Sequence, residues 1–311
     1  MKRGRISEII GNIDGKYVDE AAGYTGKENG GNKNVRFKWG VIAACLILAV
    51  IVIPLAGNLL TIQSDKKTVD SILLIEYEKA YLEVIESNPQ TLKKHGLETE
   101  VTEELIGKHI AYLKKETPDD ERSNYVVSEE KTDLELFEYA PAPYKAVRIF
   151  RDGETYYYAL FCNYLIKTSE CLPVTDGFEV YGVTKSSDIV SITPVASGNS
   201  WKASGKAITD SGSIDAFYKE ISTLSAYSFD DYHNAVFADE LEELEGTDQD
   251  IDSEAYSDLA EDRKDIVIET KEGLRFAIWY YPSYGWINEP ATMSYYRMTS
   301  DISEWFSKYV E

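Results

Sequence analysis

Apolar residues recur along this chain in three distinct registers. Residues 39–57 (WGVIAACLILAVIVIPLAG) are nineteen consecutive positions without a charge. As a helix this run would span roughly 28 Å, close to the hydrocarbon thickness of a bilayer. It predicts one membrane helix over 39–60, a tail over 1–38 and an exported portion beyond. Ahead of it, Ile6, Ile9, Ile10, Ile13, Tyr17, Val18 and Ala21 share one face at helical spacing. Residues 23–33 (GYTGKENGGNK) are Gly/Asn-rich and read as a flexible linker.

Past residue 60 the period switches between helix and strand. Residues 69–87 read as a helix stopping before Asn88-Pro89, residues 102–115 as helical or mixed, and 117–133 as a polar loop. Residues 145–151 alternate as KAVRIFR, Asp152-Gly153 supplies a turn, and 154–165 return, which predicts a hairpin. Further strands are expected over 177–184 and 188–194. The loop 197–205 separates them from a helix over 214–224, a hairpin of 265–270 and 274–281, and a closing helix over 300–310. The sum is an α+β class, with exported subdomains at 61–196 and 206–311.

Charge orients this plan. Residues 1–38 hold eight Lys/Arg against five acids, net +3, and the remainder carries 24 against 49, net −25. Lys33, Arg36 and Lys38 abut the apolar run, so the bias places the N-terminus in the cytoplasm and the acidic portion outside a bacterial cell membrane. A net charge of −22 argues against nucleic acid as a partner. Outside the apolar run the only cysteines are Cys162 and Cys171. An exported compartment permits a disulfide between them, and two unpaired thiols are the alternative.

Candidate chemistry is sparse. Residues 239–262 hold twelve acids and no Lys or Arg, and Asp248, Asp250, Asp252 and Glu254 alternate as in a calcium loop. The sixth position is Ser253 and the twelfth Leu259, where such a loop needs Gly and Glu, so a solvated acidic loop is the simpler reading. Trp279, Tyr281, Tyr284 and Trp286 form an aromatic group that would suit a glycan or peptide surface. Both faces of 274–281 are apolar, however, which a strand covered on both sides also produces. His95, His109 and His233 lack metal-ligand spacing. No nucleophile elbow, Walker loop or zinc-protease motif occurs, so neither an enzyme nor a cofactor is expected.

The stretch from Ile9 to Ala22 (IIGNIDGKYVDEAA), the basic linker and KWGVIAACLILAV resemble the start of a family of single-pass proteins of clostridial-type Gram-positive bacteria. Residues 137–165, 208–220 and 269–287 resemble the same group. The resemblance implies an exported domain behind one membrane helix, in a layout like that of anti-sigma factors, and brings no catalytic residues. It suggests an envelope sensor or regulator anchored in the lipid bilayer. Ile6, Ile9, Ile10, Ile13 and Tyr17 would then meet a cytoplasmic partner such as a sigma factor. The alternative is a tethered surface module for cell-wall glycan or peptide, with no signalling role.

Overall fold

The computed structural model describes residues 73–86, 88–116, 124–196, 201–243 and 253–310. Their architecture corrects the α+β expectation: the chain is predominantly β, built on a closed seven-stranded barrel and a separate six-stranded sheet. The run 39–57, on which the membrane helix rested, lies outside the described residues, as does the tail face of Ile6, Ile9, Ile10, Ile13 and Tyr17. Among the described residues no helix is long and apolar enough to cross a membrane. The single-pass, membrane-localised expectation is corrected accordingly.

Seven strands make the barrel: β1 (Leu73–Tyr77), β2 (Ala80–Ile85), β3 (Ile106–Glu116), β4 (Asn124–Ser128), β5 (Leu134–Tyr139), β6 (Val147–Asp152) and β7 (Thr155–Tyr164). Their order around the wall is β1-β2-β7-β6-β5-β3-β4. Every neighbouring pair is antiparallel except the closing one, where β1 and β4 run parallel with Ile75 opposite Tyr125. Alternation along each strand sends Ile75, Leu82, Val84, Leu113, Tyr125, Leu136, Phe150 and Ala159 inward. The Tyr125 and Phe150 rings meet across the lumen at 5.0 Å, so the barrel is packed rather than hollow.

The expected helix over 69–87 fails because alternation and helical spacing overlap in short apolar stretches. Residues 69–87 contain the β1–β2 hairpin instead of a helix. Residues 106–116 form a long strand after a single 3₁₀ turn, and the expected loop 117–133 contains β4. Between β2 and β3, α1 (Pro89–Lys94) is capped by Asn88, whose side chain accepts from Thr91 N at 3.1 Å. Residues 177–184, expected as a strand, belong to α2 (Val174–Val180) and the turn after it.

The second sheet contains β8 (Ile189–Val195), β9 (Ala226–Tyr227), β10 (Lys264–Thr270), β11 (Arg275–Tyr281), β12 (Trp286–Glu289) and β13 (Ser294–Arg297). Their order is β8-β10-β11-β12-β13-β9. On one face lie α2, α3 (Ser211–Ile221) and α7 (Ser300–Tyr309), whose Phe178, Phe217 and Phe306 pack on Ile266, Phe276, Ile278 and Tyr280. Against the other face pack Tyr232 and Val236 of α4 (Phe229–Val236) and Leu259 of α6 (Ser253–Asp262), and α5 (Ala238–Glu243) follows α4 in the chain. Burial on both faces explains why β11 is apolar at nearly every position. Main-chain bonds join barrel and sheet: Arg275 N donates to His95 O (3.2 Å), Ala146 N to Val180 O (2.9 Å) and Tyr164 N to Ala291 O (2.8 Å).

Glu289 ends β12 in complete burial, its carboxyl accepting from Ala291 N (3.1 Å) and Thr292 N (2.7 Å). Helix α2 passes so close that a Cβ on Gly177 would sit 2.0 Å from the Glu289 carboxyl, hence the glycine there. Burial outweighs the two N–H donors and pushes the Glu289 pKa up to about 7. The folded pKa is raised, so this group's contribution is fully present below about 4.5 and is lost as pH rises through about 7. Urea unfolding across that window should show falling stability, and Glu289→Gln should flatten the slope. An unchanged slope in the variant would remove Glu289 as its source.

Candidate functional site

One mouth of the barrel opens into a shallow cleft enclosing about 10 Å³, bounded by Tyr77, Glu78, Ala80, Leu82, Lys145, Arg148, Phe161 and Tyr164. The floor comes from the pleat. Within β6, Val147 and Ile149 face outward, while Arg148 and Phe150 face inward beside Ala159 of β7. An arginine therefore occupies a lumen position and is only 8% exposed.

The Arg148 guanidinium is fixed from below by its own strand and loop. Its Nη1 donates to Tyr144 O and to Val147 O. Glu138 sits opposite it in register on β5, and Tyr77 and Glu78 also lie within electrostatic reach. Among the described residues no carboxylate closes into an ion pair with it. Burial pulls its pKa down and Tyr77, Glu138 and Glu78 pull it back, and a guanidinium stays charged throughout. A buried, charged, five-donor fork with two donations made and no acid attached is a strong site for a carboxylate or phosphate oxygen.

The walls are aromatic. Phe161 and Tyr164 meet edge to face at 5.0 Å, and Lys145 Nζ lies 5.3 Å from the Tyr164 ring and 3.5 Å from its hydroxyl. At the rim, the Tyr77 hydroxyl donates to Glu78 Oε1 at 3.0 Å. Burial, then this bond to Glu78, raises the Tyr77 pKa, so the phenol stays a neutral donor.

The β1–β2 turn contributes an anomaly. Tyr77 pairs with Ala80, leaving a two-residue loop whose residues Glu78 and Lys79 have φ of 50° and 58°. Such loops use Asn-Gly or Gly-Gly because L side chains resist the left-handed region. Two non-glycine residues there carry strain of order 1 kcal/mol each, and such strain concentrates at functional sites. Leu165 N donates to Lys79 O at 2.7 Å and holds the turn against the end of β7.

The residues singled out from sequence fall elsewhere. Trp279, Tyr281 and Trp286 are buried with Tyr232, and Tyr284 packs against them half-buried. Tyr232 stacks on Tyr295 at 3.7 Å, Trp286 meets Tyr227 and Tyr232 edge-on, and the Arg263 guanidinium covers Trp279 at 4.5 Å. This is core packing, the simpler of the two sequence readings. Cys162 and Cys171 are free thiols. Cys162 lies on β7, while Cys171 sits in the loop running past β9, its thiol 3.6 Å from Ala226 O.

Residues 244–252 of the acidic stretch lie outside the described residues. Among the described residues no group of three or more His, Cys, Asp or Glu could hold a metal ion. A second cleft, enclosing about 10 Å³ between barrel wall and sheet, is lined by His95, Tyr181 and Arg275 among apolar residues. Burial lowers the His95 pKa to about 4, so its imidazole is neutral, and its Nδ1 is 3.2 Å from Arg275 O. That cleft offers a ligand far less charge than the barrel mouth.

Sequence reasoning missed Arg148, Lys145, Tyr77, Tyr164 and Glu78. One signal was present: in KAVRIFR the arginine shares a face with Ala146 and Phe150. Comparison with protein-family models, with curated proteins and with solved structures finds no match.

If the turn is strained, Glu78→Asn with Lys79→Gly should stabilise the protein by roughly 1 kcal/mol in urea unfolding. Equal or lower stability of that double variant would contradict the strain.

Proposed function

We propose that this protein is a sensor or regulator that works by binding: its barrel mouth takes a small ligand through a carboxylate, and its N-terminal segment passes on the occupancy. The observation that carries the reading is Arg148, buried in the lumen beneath an aromatic-walled cleft with no ion-paired acid among the described residues. Barrel mouths are common places for small-molecule sites, and those sites run from about 300 Å³ upward. This mouth encloses only about 10 Å³, room for one water, so it suits contact with a single small group such as a carboxylate rather than enclosure of a whole molecule. The polar groups at the mouth are a guanidinium, an ammonium, two phenols and one carboxylate. No nucleophile beside a base is among them, which favours binding over turnover.

The signalling half of the proposal rests on sequence. Ile6, Ile9, Ile10, Ile13 and Tyr17 form an amphipathic stripe too short to build a core. Such a stripe suits a groove on a protein partner, of which a sigma factor is one candidate. The rival glycan- or peptide-binding module drew its support from the Trp279–Trp286 aromatics, of which Trp279, Tyr281 and Trp286 are buried and Tyr284 is half-buried.

Two measurements test the two halves. Isovalerate, a short branched carboxylate, should raise the melting temperature of the full chain in proportion to the logarithm of its concentration. A ligand at a hundredfold its Kd adds about 2.7 kcal/mol. Arg148→Met should abolish the rise, and an equal rise in the variant would place the site elsewhere. Crosslinking in cells should recover a partner that disappears when residues 2–22 are deleted. Identical partners from both versions would end the signalling half.

A further inference from the structure

Glu289, at the end of β12, is 1% exposed, and among the described residues no Lys, Arg or His forms an ion pair with it. Its carboxyl oxygens accept from Ala291 N at 3.1 Å and Thr292 N at 2.7 Å. On the side of α2, a Cβ on Gly177 would overlap the carboxyl, which leaves no space there for water or a counter-ion. The ionisable groups packed around it bring no positive charge. Burial first, and the Glu289 charge second, raise the pKa of Tyr181 after α2 and of Tyr296 on β13. Burial likewise raises that of Cys162 on β7, which lies within electrostatic reach of Tyr181. Asp176 of α2, within electrostatic reach of Tyr296, is acidic too.

This carboxyl holds a joint between sheet and barrel. Ala291, whose N–H it accepts, presents its carbonyl to Tyr164 N at the end of β7 (2.8 Å). The next residue, Leu165, donates to Lys79 O in the β1–β2 turn at 2.7 Å. The end of β7 is thus pinned between the turn 290–293 and the turn at the rim of the mouth, and Tyr164 is a wall of that mouth. Met293 in the first of these turns has a φ of 54°, a conformation that persists only while its surroundings impose it. A carboxylate buried without a cation is strongly disfavoured against one in water, whereas a neutral carboxyl is not. We propose that Glu289 is a proton-operated latch on the barrel mouth. Protonated, it stays buried and holds the end of β7. Ionised, it withdraws toward water, frees the turn 290–293 and loosens the Tyr164 wall. The latch does not depend on what the mouth binds.

The folded pKa lies above the ordinary carboxyl value, so the latch is fully set below about 4.5 and is lost as pH rises through about 7. Amide hydrogen exchange of the full chain, read by NMR between about pH 5 and about pH 8 and expressed as protection factors, tests this. Tyr164 and Leu165 should lose protection by about tenfold or more across that range, since opening is linked to release of one proton. At the upper end they should be about tenfold less protected than Ile149 and Phe150 in β6, which marks a local opening rather than unfolding of the whole chain. In Glu289→Gln, which carries no charge at any pH, the protection of Tyr164 should be level.

Level protection of Tyr164 in the natural chain would overturn the latch. So would Tyr164 as well protected as Ile149 at the upper end, or a loss at Tyr164 that persists in Glu289→Gln. Should that variant fail to fold, the Ala291 and Thr292 amide proton shifts of the natural chain decide instead. They should titrate together with the loss at Tyr164, and a titration at a different pH would overturn the proposal.

Discussion

Closure of the barrel through the parallel β1–β4 ladder is the constraint on which the rest of the molecule depends. A sheet of seven strands with two open edges would leave unpaired main-chain groups on both sides, and closing it removes them. Closure also divides every strand strictly into lumen and outer wall. On β6 that division sends Phe150 into a packed interior and Arg148 into the mouth above it. In an open sheet the same arginine would face water. In the barrel it is desolvated, charged and aimed, and that combination makes the mouth a site.

The second sheet is what holds the mouth in place. Its β11 pairs its main chain with His95 beyond α1, and the turn after β12 meets the end of β7 through Tyr164 N and Ala291 O. Lys271, in the β10–β11 turn, bonds Asp188 at 2.7 Å, and Glu272 beside it accepts from the Tyr144 hydroxyl at 3.2 Å. Tyr144 is the residue whose carbonyl receives Arg148. The guanidinium is thus positioned by a loop that the second sheet itself fastens. The Trp279, Tyr281 and Trp286 cluster serves the same rigidity from the far face, where its rings pack on one another and under Arg263.

Parts of this were readable from sequence, and the reasons differ by element. The β6–β7 and β10–β11 hairpins were visible because Gly153 and Gly273 mark their turns between alternating runs. Helix α3 was visible from Asp210, whose side chain accepts from Ser213 N at 2.9 Å, and from its apolar face. The β1–β2 hairpin was not, because Leu, Ile, Glu and Tyr at those positions fit a period of 3.6 as well as of 2. Its turn is Glu78-Lys79, which carries no turn signal. Arg148 stood in plain view within an alternating strand, but its meaning depends on which face is the lumen, and long-range closure alone decides that. The acid balance around it, with Glu78 and Glu138 brought from other strands, is likewise invisible along the chain.

The central claim is that Arg148 sits at the floor of a ligand site, and its side-chain Nε–H reports on that directly. In an NMR spectrum of the full chain, titration with isovalerate should shift the Arg148 Nε–H resonance with saturation. The resonance of Arg263, which covers Trp279 in the other cluster, should stay fixed. An Arg148 resonance that does not move, or that moves in step with Arg263, would contradict the account.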